Sequence, residues 1–167
     1  MESTPDIGTS FRVLFPASPL PLGQPQHEAV PQVVSQRHES LVLVVDDEDA
    51  VGRLTAHYVG MMGFHAIRAA DGVEAVQIFR EHADDLELVI LDFIMPRLGG
   101  AETLAQMKRI RPSVPVILMS GYNEAIAVRD IDGVADFIQK PFAAHELLRV
   151  VQNTLQASAP PNASDIH

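Results

Sequence analysis

The stretch Leu-Val-Leu-Val-Val-Asp-Asp at residues 41–47 decides the fold, because an apolar run of strand length passes directly into two acidic residues. A continuous apolar run of this kind is typical of a strand that is buried on both faces of a sheet. Two further runs end in a similar way: residues 88–91 lead into Asp92, and residues 114–119 lead into Ser120. Polar residues thus follow several buried strands, which indicates a parallel sheet with a functional edge.

Strand and helix patterns alternate along residues 41–157. Apolar runs recur between segments whose apolar residues are spaced three and four positions apart, which is the spacing of an amphipathic helix. Strands are predicted over about 41–46, 65–69, 87–92, 114–119 and 135–139, and helices over about 49–62, 71–82, 100–110, 123–130 and 143–157. Five such units require a parallel sheet covered on both faces. The predicted class is therefore α/β, with a doubly wound five-stranded parallel sheet.

The helical spacing also predicts which face of the first helix is buried. Val51, Leu54, Tyr58 and Met61 recur at intervals of three and four residues. We therefore expect these four side chains to pack against the sheet.

Charged and hydroxyl residues follow the strands at one predicted edge of the sheet. In a doubly wound sheet a ligand binds beyond the carboxyl ends of the strands, where the strand order reverses. For the order 2-1-3-4-5 that point lies between strands one and three, which end at Asp46-Asp47 and at Asp92. Strand five leads into Lys140, whose ammonium group is expected to pair with Asp92. Together with the Ser120 hydroxyl, these groups predict a site that binds a divalent metal and exchanges a phosphoryl group.

Each of these residues also has an ordinary structural explanation. Acidic residues before a helix cap its N–H groups, and Glu48 or Asp49 can serve that purpose. Asp92 can begin a turn, Ser120 can begin a loop, and Lys140 can lie on the surface. However, the carboxylates exceed the needs of one cap and would repel one another without a cation. We therefore favour the metal site.

The composition limits the classes of function. The chain has 167 residues, of which 47% are hydrophobic, with no cysteine and a formal net charge of −10. The length allows one domain with tails, and the lack of cysteine excludes a thiol nucleophile. The negative charge disfavours nucleic acid and anionic membranes as partners. With no apolar run near the roughly 20 residues of a membrane span and no signal-peptide pattern, we expect a cytoplasmic protein.

Residues 40–157 resemble the receiver domain of two-component response regulators. The resemblance is carried by Asp46-Asp47, the segment from Asp92 through Met95-Pro96 to Gly99-Gly100, Ser120, Phe137 and Lys140-Pro141-Phe142. It implies a flavodoxin-like fold of strand order 2-1-3-4-5 over residues 41–157, followed by a disordered tail at 158–167.

The resemblance also implies a role for each site residue. Asp92 would accept a phosphoryl group from a phosphohistidine. Asp47, Asp92 and the backbone carbonyl of Ile94 would bind Mg²⁺, or alternatively Mn²⁺, while Asp46 would act through water. Such oxygen-only ligands suit Mg²⁺. The phosphoryl-binding and switch residues would be Ser120, Lys140 and Phe137.

The implied partner is a histidine kinase or a histidine phosphotransfer protein. The chain itself is not expected to be an enzyme, beyond promoting its own phosphorylation and dephosphorylation. Two features depart from the family pattern: the hydroxyl residue is Ser120 rather than threonine, and the stretch to Lys140 is short. The helix at 123–130 is therefore expected to be reduced, which puts a standard dimer in doubt. We expect a monomer or a weak dimer.

The first 40 residues differ from the rest. Residues 17–40 are rich in proline and are interpreted as a linker. Within residues 1–16, Gly8-Thr9 precedes alternating apolar residues that are closed by Pro16. This segment resembles the last strand of a histidine-kinase ATP-binding domain, which predicts that the chain is the C-terminal part of a hybrid sensor kinase. The alternative is a strand-like segment that arose by chance.

Two other functions compete with a phosphoacceptor. A phosphatase or phosphotransferase with an aspartate nucleophile, of the haloacid-dehalogenase-like kind, would need a second acid two residues after Asp92, where the chain has Ile94. A receiver-like scaffold that no longer takes phosphate is disfavoured by the complete set of acidic, hydroxyl and lysine residues.

Overall fold

A computed structural model describes residues 2–4, 8–10, 40–121 and 131–158. The chain divides into two compact units, Met1–Gln36 and Arg37–His167. In the first unit, strands β1 (Glu2–Thr4) and β2 (Gly8–Ser10) pair in antiparallel fashion. Most of the linker predicted at 17–40, the helix predicted at 123–130 and the tail from residue 159 lie outside the described residues. The origin predicted for residues 1–16 stays a prediction.

The second unit consists of a parallel sheet with helices on both faces. Its elements are β3 (Leu41–Val45), α1 (Asp49–Met61), β4 (His65–Ala69), α2 (Gly72–Glu81), β5 (Leu86–Asp92), α3 (Gly100–Ile110), β6 (Val116–Ser120), β7 (Asp136–Gln139) and α4 (Ala144–Ser158). The five parallel strands lie in the order β4-β3-β5-β6-β7. This is the predicted order 2-1-3-4-5, so the predicted fold class is confirmed.

Two hydrophobic clusters cover the two faces of the sheet. Side chains alternate between the faces along a strand, so Leu43 and Val45 of β3 belong to one cluster and Val42 and Val44 to the other. Helices α2 and α3 complete the first cluster, and α1 and α4 complete the second. Burial from both sides explains why the strand that decides the fold is apolar at every position.

The predicted buried face of α1 is wrong for Leu54 and Met61, whereas Tyr58 is partly buried and packs against the second cluster. The buried residues of α1 are Gly52, Thr55 and Val59, whereas Leu54 and Met61 are 45% and 60% exposed. The true core face is rotated by one residue, or about 100°, from the predicted apolar stripe. Gly52 lies beside Asp46 and Arg68: a Cβ atom at this position would make ordinary van der Waals contact with both side chains.

Strands β3 and β5 pair with one change of register near their amino ends. Leu41 lies opposite Leu86, but the next residue, Val42, lies opposite Leu88. Glu87 therefore occupies an additional position in β5. Beyond this point the register is regular to the carboxyl ends of both strands.

Helix α2 begins with a side-chain cap. Asp71 Oδ1 accepts hydrogen bonds from the backbone N–H groups of Val73 and Glu74 at 2.8 and 3.0 Å. These bonds satisfy N–H groups that have no partner within the helix. The predicted helix start at Asp71-Gly72 is thus confirmed.

Helix α3 begins in direct contact with the end of β5. A Cβ atom on Gly100 would lie 2.5 Å from the Asp92 carbonyl oxygen and 2.7 Å from Phe93 Cα. These are backbone atoms that cannot move aside without shifting the strand end. Glycine at this position therefore lets α3 start immediately beside Asp92.

We predict that Gly100→Ala lowers the free energy of unfolding by about 1–3 kcal/mol through this overpacking. Gly60→Ala is the matched control, because Gly60 lies in α1 and, apart from its chain neighbours and the helix's own backbone, no atom lies within 4 Å of the new methyl group. That change should stabilise the protein by about 0.5 kcal/mol. Urea denaturation of both variants measures the difference, and equal stability of the two would contradict the close approach at Gly100.

Candidate functional site

The predicted acidic residues come together at the carboxyl ends of β3 and β5. Val45 lies opposite Leu91, so Asp46 and Asp92 follow at matching positions on neighbouring strands. Carboxylate oxygens of Asp46, Asp47 and Asp92 all lie within 4.8 Å of one another. Asp46 and Asp92 are buried, whereas Asp47 is exposed. The group thus has two inner carboxylates and one that faces solvent.

Lys140 reaches this cluster from the end of β7. Its Nζ lies 2.7 Å from Asp46 Oδ2 and 2.9 Å from Asp92 Oδ2. The Lys140 backbone N–H donates to the Ser120 carbonyl at 2.7 Å, and the Lys140–Pro141 peptide bond is cis. The predicted contact with Asp92 is present. The equally close contact with Asp46 was missed, since the sequence does not show how far β7 lies from β3.

Asp46 also organises the start of α1. Its Oδ1 accepts a hydrogen bond from the Glu48 backbone N–H at 2.9 Å. The expectation that Glu48 or Asp49 caps this helix is wrong: Glu48, at the N-cap, makes no side-chain cap bond. Asp49 instead pairs with Arg53 at 2.7 Å and Arg68 at 2.5 Å, and the hydrogen bond from Arg68 lowers the pKa of Asp49.

Burial and charge act in opposite directions on Asp92. Its removal from water raises the pKa of the carboxyl group, and the Asp46 carboxylate adds to this effect, while the hydrogen bond from Lys140 opposes it. Burial by itself would lower the pKa of Lys140, but its hydrogen bonds to Asp46 and Asp92 raise that pKa above the ordinary value. The site therefore holds a firmly protonated ammonium and a carboxylate whose charge is poorly compensated.

The remaining predicted residues lie on neighbouring segments. Ser120 is buried at the end of β6, and its Oγ donates a 3.3 Å hydrogen bond to the Gly121 carbonyl. Phe137 of β7 is partly buried and packs against the cluster that contains Leu118. Ile94 follows the buried end of β5, and its side chain is 56% exposed. The roles predicted for these residues stay predictions.

The chain belongs to the response regulator receiver domain family. The model of that family matches residues 42–152, which include the acidic cluster and Lys140. The chain is therefore a receiver domain of the two-component type, and the resemblance inferred from the sequence is confirmed.

Proteins similar to this chain include both sensor kinases and response regulators. The chain is 28% identical to the sensor kinase CckA of Brucella abortus over 89% of its own length and 17% of the kinase. It is 32% identical to the response regulator MprA of Mycobacterium over 74% of its own length and 54% of that protein. The chain thus spans about half or less of these relatives.

A similar solved structure is a chain of the CheX–CheY–BeF3–Mg²⁺ complex from Borrelia burgdorferi. It is 31% identical, with a TM-score of 0.65, over 68% of this chain and 87% of that one. Within the part of the chain that the structure describes, no helix has both the length and the apolar character needed to cross a bilayer.

We predict that Asp92→Asn raises the stability of the metal-free protein at neutral pH. The gain should be on the order of 1 kcal/mol, or about 4 °C in melting temperature, because the variant removes a buried charge that the fold disfavours. Since the pKa of Asp92 is raised in the folded state, wild type and variant should differ above that pKa. The difference should disappear as the pH falls and Asp92 becomes protonated.

Thermal melts in EDTA at a series of pH values measure this effect. Asp84→Asn is the control, since it removes the same charge from an exposed position and should give no comparable gain. A lower melting temperature for Asp92→Asn than for wild type at neutral pH would contradict the prediction.

Proposed function

We propose that this receiver domain accepts a phosphoryl group on Asp92 from a phosphohistidine, in a reaction that depends on Mg²⁺. The observation that carries the proposal is the contact of one ammonium group, that of Lys140, with both Asp46 and Asp92, where Asp47 adds a third carboxylate. A structural salt bridge needs one acid and one base. Three clustered carboxylates with one ammonium, which contacts two of them, leave an excess of negative charge that a further cation would balance.

The donor groups fit Mg²⁺, with Mn²⁺ as an alternative. The candidate ligands are oxygens from Asp47, Asp92 and, by the family resemblance, the backbone carbonyl of Ile94. Asp46 already accepts a backbone hydrogen bond at Oδ1 and contacts Lys140 at Oδ2, which supports a contact with the metal through water. The bound ion would supply positive charge that stabilises the transferring phosphoryl group. Mg²⁺ is present in the similar Borrelia complex.

The residues of the chain itself account for the transfer. An Asp92 oxygen forms the new bond to phosphorus, while the bond from phosphorus to the donor imidazole nitrogen breaks. The Lys140 ammonium, 2.9 Å from Asp92 Oδ2, is within reach of a phosphoryl oxygen on Asp92. The 3.3 Å hydrogen bond from Ser120 to Gly121 is long and can be exchanged for one to that group. We link this exchange to inward rotation of Phe137.

This chemistry requires a histidine kinase or a histidine phosphotransfer protein as the donor. In the proposal the chain is not an enzyme for a separate substrate but promotes its own phosphorylation and dephosphorylation. A phosphatase with Asp92 as nucleophile is less favoured, because the position that would hold its general acid is Ile94.

We predict that Asp92→Asn abolishes Mg²⁺-dependent labelling by acetyl phosphate or by a phosphorylated histidine donor, because the variant lacks the oxygen nucleophile. Asp84→Asn, at an exposed position, should be labelled like wild type. Radiolabel incorporation measures the labelling of both variants, and equal labelling of the two would contradict the assignment of Asp92 as the phosphoacceptor.

The response to phosphorylation can be separated from the transfer. Lys140→Ala should still accept some label, but NMR shifts at Ser120 and Phe137 on phosphorylation should be lost, because no cation then ties β7 to the phosphoryl group. Shifts that match those of wild type would count against this role for Lys140.

A second observation favours a place for this receiver within a hybrid histidine kinase. The similarity to the Brucella sensor kinase covers 89% of the chain, whereas the receiver family matches residues 42–152. The similarity to the kinase therefore extends outside the receiver domain. We propose that residues 1–16 correspond to the last strand of a kinase ATP-binding domain and residues 17–40 to the linker.

This second proposal predicts that the first unit contributes nothing that the receiver needs. A protein of residues 38–167 should fold, bind Mg²⁺ and accept the phosphoryl group like the full chain, and the full chain should not bind ATP. Thermal melts, Mg²⁺ titration and labelling test this. Loss of folding in the shorter protein would show that the first unit has become part of the receiver.

A further inference from the structure

Arg97 adopts a backbone conformation that residues with side chains disfavour. Its φ is 68°, and the Leu98 N–H donates to the Pro96 carbonyl at 2.8 Å. Arg97 is therefore the centre of a tight three-residue turn with positive φ, which is a rare and strained form. Such a conformation persists where surrounding contacts hold it.

The Arg97 side chain, which is 64% exposed, forms an ion pair with Asp71. The guanidinium group of Arg97 contacts Asp71 Oδ2, and the Asp71 side chain is 2% exposed. Oδ1 of the same carboxylate accepts two backbone hydrogen bonds at the start of α2. The partner of Arg97 is therefore itself fixed, and the ion pair ties the turn to the first residues of α2.

This turn lies in the loop that joins Asp92 to α3. One end of the loop is held by backbone hydrogen bonds of Phe93, whose N–H donates to the Met119 carbonyl at 2.8 Å and whose carbonyl accepts from Gly100 at 2.9 Å. Ile94, whose carbonyl is the proposed metal ligand, lies between that anchored end and the turn at Arg97. The position of the carbonyl thus depends on both anchors.

We propose that Arg97 and Asp71 form a positioning pair that sets the loop for Mg²⁺ binding, without touching the metal or the phosphoryl group. The inference rests on the proposed metal site. A preorganised carbonyl ligand costs less to bind than one that must be ordered by the ion, so loss of the pair should weaken Mg²⁺ binding.

The sign of the effect separates positioning from simple electrostatics. Arg97→Ala removes a positive charge, which by electrostatics alone would strengthen the binding of a cation. Loss of positioning has the opposite effect, and we expect the Mg²⁺ Kd to rise about tenfold. Arg80→Ala is the matched control, since it removes the same charge from an exposed position near the other end of α2 and should not raise the Kd.

Isothermal titration of the metal-free full-length protein with Mg²⁺ measures these values. Arg97→Gly separates the ion pair from the turn, because glycine adopts positive φ without strain but cannot pair with Asp71. If the ion pair positions the loop, the Mg²⁺ Kd of Arg97→Gly should be raised as well. Wild-type affinity in that variant would overturn the proposal, since the turn conformation alone would then suffice.

Asp71→Asn completes a double-mutant cycle. Its retained oxygen can still cap α2, while the charge that pairs with Arg97 is lost. Positioning by the pair predicts weaker Mg²⁺ binding in both single variants and no further loss in the double variant. Stronger binding for Arg97→Ala together with weaker binding for Asp71→Asn would show independent charge effects and would overturn the proposal.

A measurement on the metal-free protein tests whether the Arg97–Asp71 pair holds the turn. Hydrogen exchange of the Leu98 amide, which closes the turn, should be faster in Arg97→Ala and Asp71→Asn but unchanged in Arg80→Ala. Asp47→Asn serves as the reference for the metal site. Wild-type Mg²⁺ affinity in Asp47→Asn would overturn the metal site and the positioning role together, whereas weakened binding in Asp47→Asn but not in the Arg97 variants would overturn the positioning role alone.

Discussion

The contact of the Lys140 ammonium with Asp46 and Asp92 is the interaction on which the functional edge of this domain depends. Two buried carboxylates on neighbouring strands repel each other, and the cost is large where water is excluded. Lys140 reduces this cost and ties β7 to β3 and β5. When the exposed Asp47 is included, the net charge of these groups is still negative. The site is therefore an arrangement that gains from an added cation, and the two apolar clusters of the sheet supply the stability that tolerates it.

The strands and the site could be predicted because they follow from one-dimensional patterns. A strand that is buried on both faces must be apolar throughout, and the parallel topology places the ends of β3 and β5 side by side. Asp46, Asp47, Asp92 and Lys140 could therefore be brought together from their positions after apolar runs. The same argument could not predict the contact of Lys140 with Asp46, because that contact depends on the three-dimensional spacing of non-adjacent strands.

The features that could not be predicted depend on close packing. In α1 the apolar stripe containing Leu54 and Met61 carried the stronger sequence signal, yet the buried side contains Gly52, Thr55 and Val59. Asp46, rather than Glu48 or Asp49, supplies the hydrogen bond at the start of this helix. No sequence pattern indicated the unusual backbone of Arg97, because a positive φ at arginine arises from its surroundings and not from its own conformational preference.

The register shift between β3 and β5 has a consequence at the far end of the sheet. If the same sequence kept the register of Leu41 and Leu86 along the whole ladder, Asp46 would align with Leu91 instead of Asp92. Asp92 would then lie about 3.3 Å farther along the ladder, and its side chain would face the opposite side of the sheet from that of Asp46. The irregularity thus accommodates one additional residue of β5 roughly 15 Å away from the carboxylates, and the pairs between it and the carboxylates remain regular. Deletion of Glu87 would restore a regular ladder and keep the two acids side by side, so the irregularity isolates the functional edge from the loss of that residue.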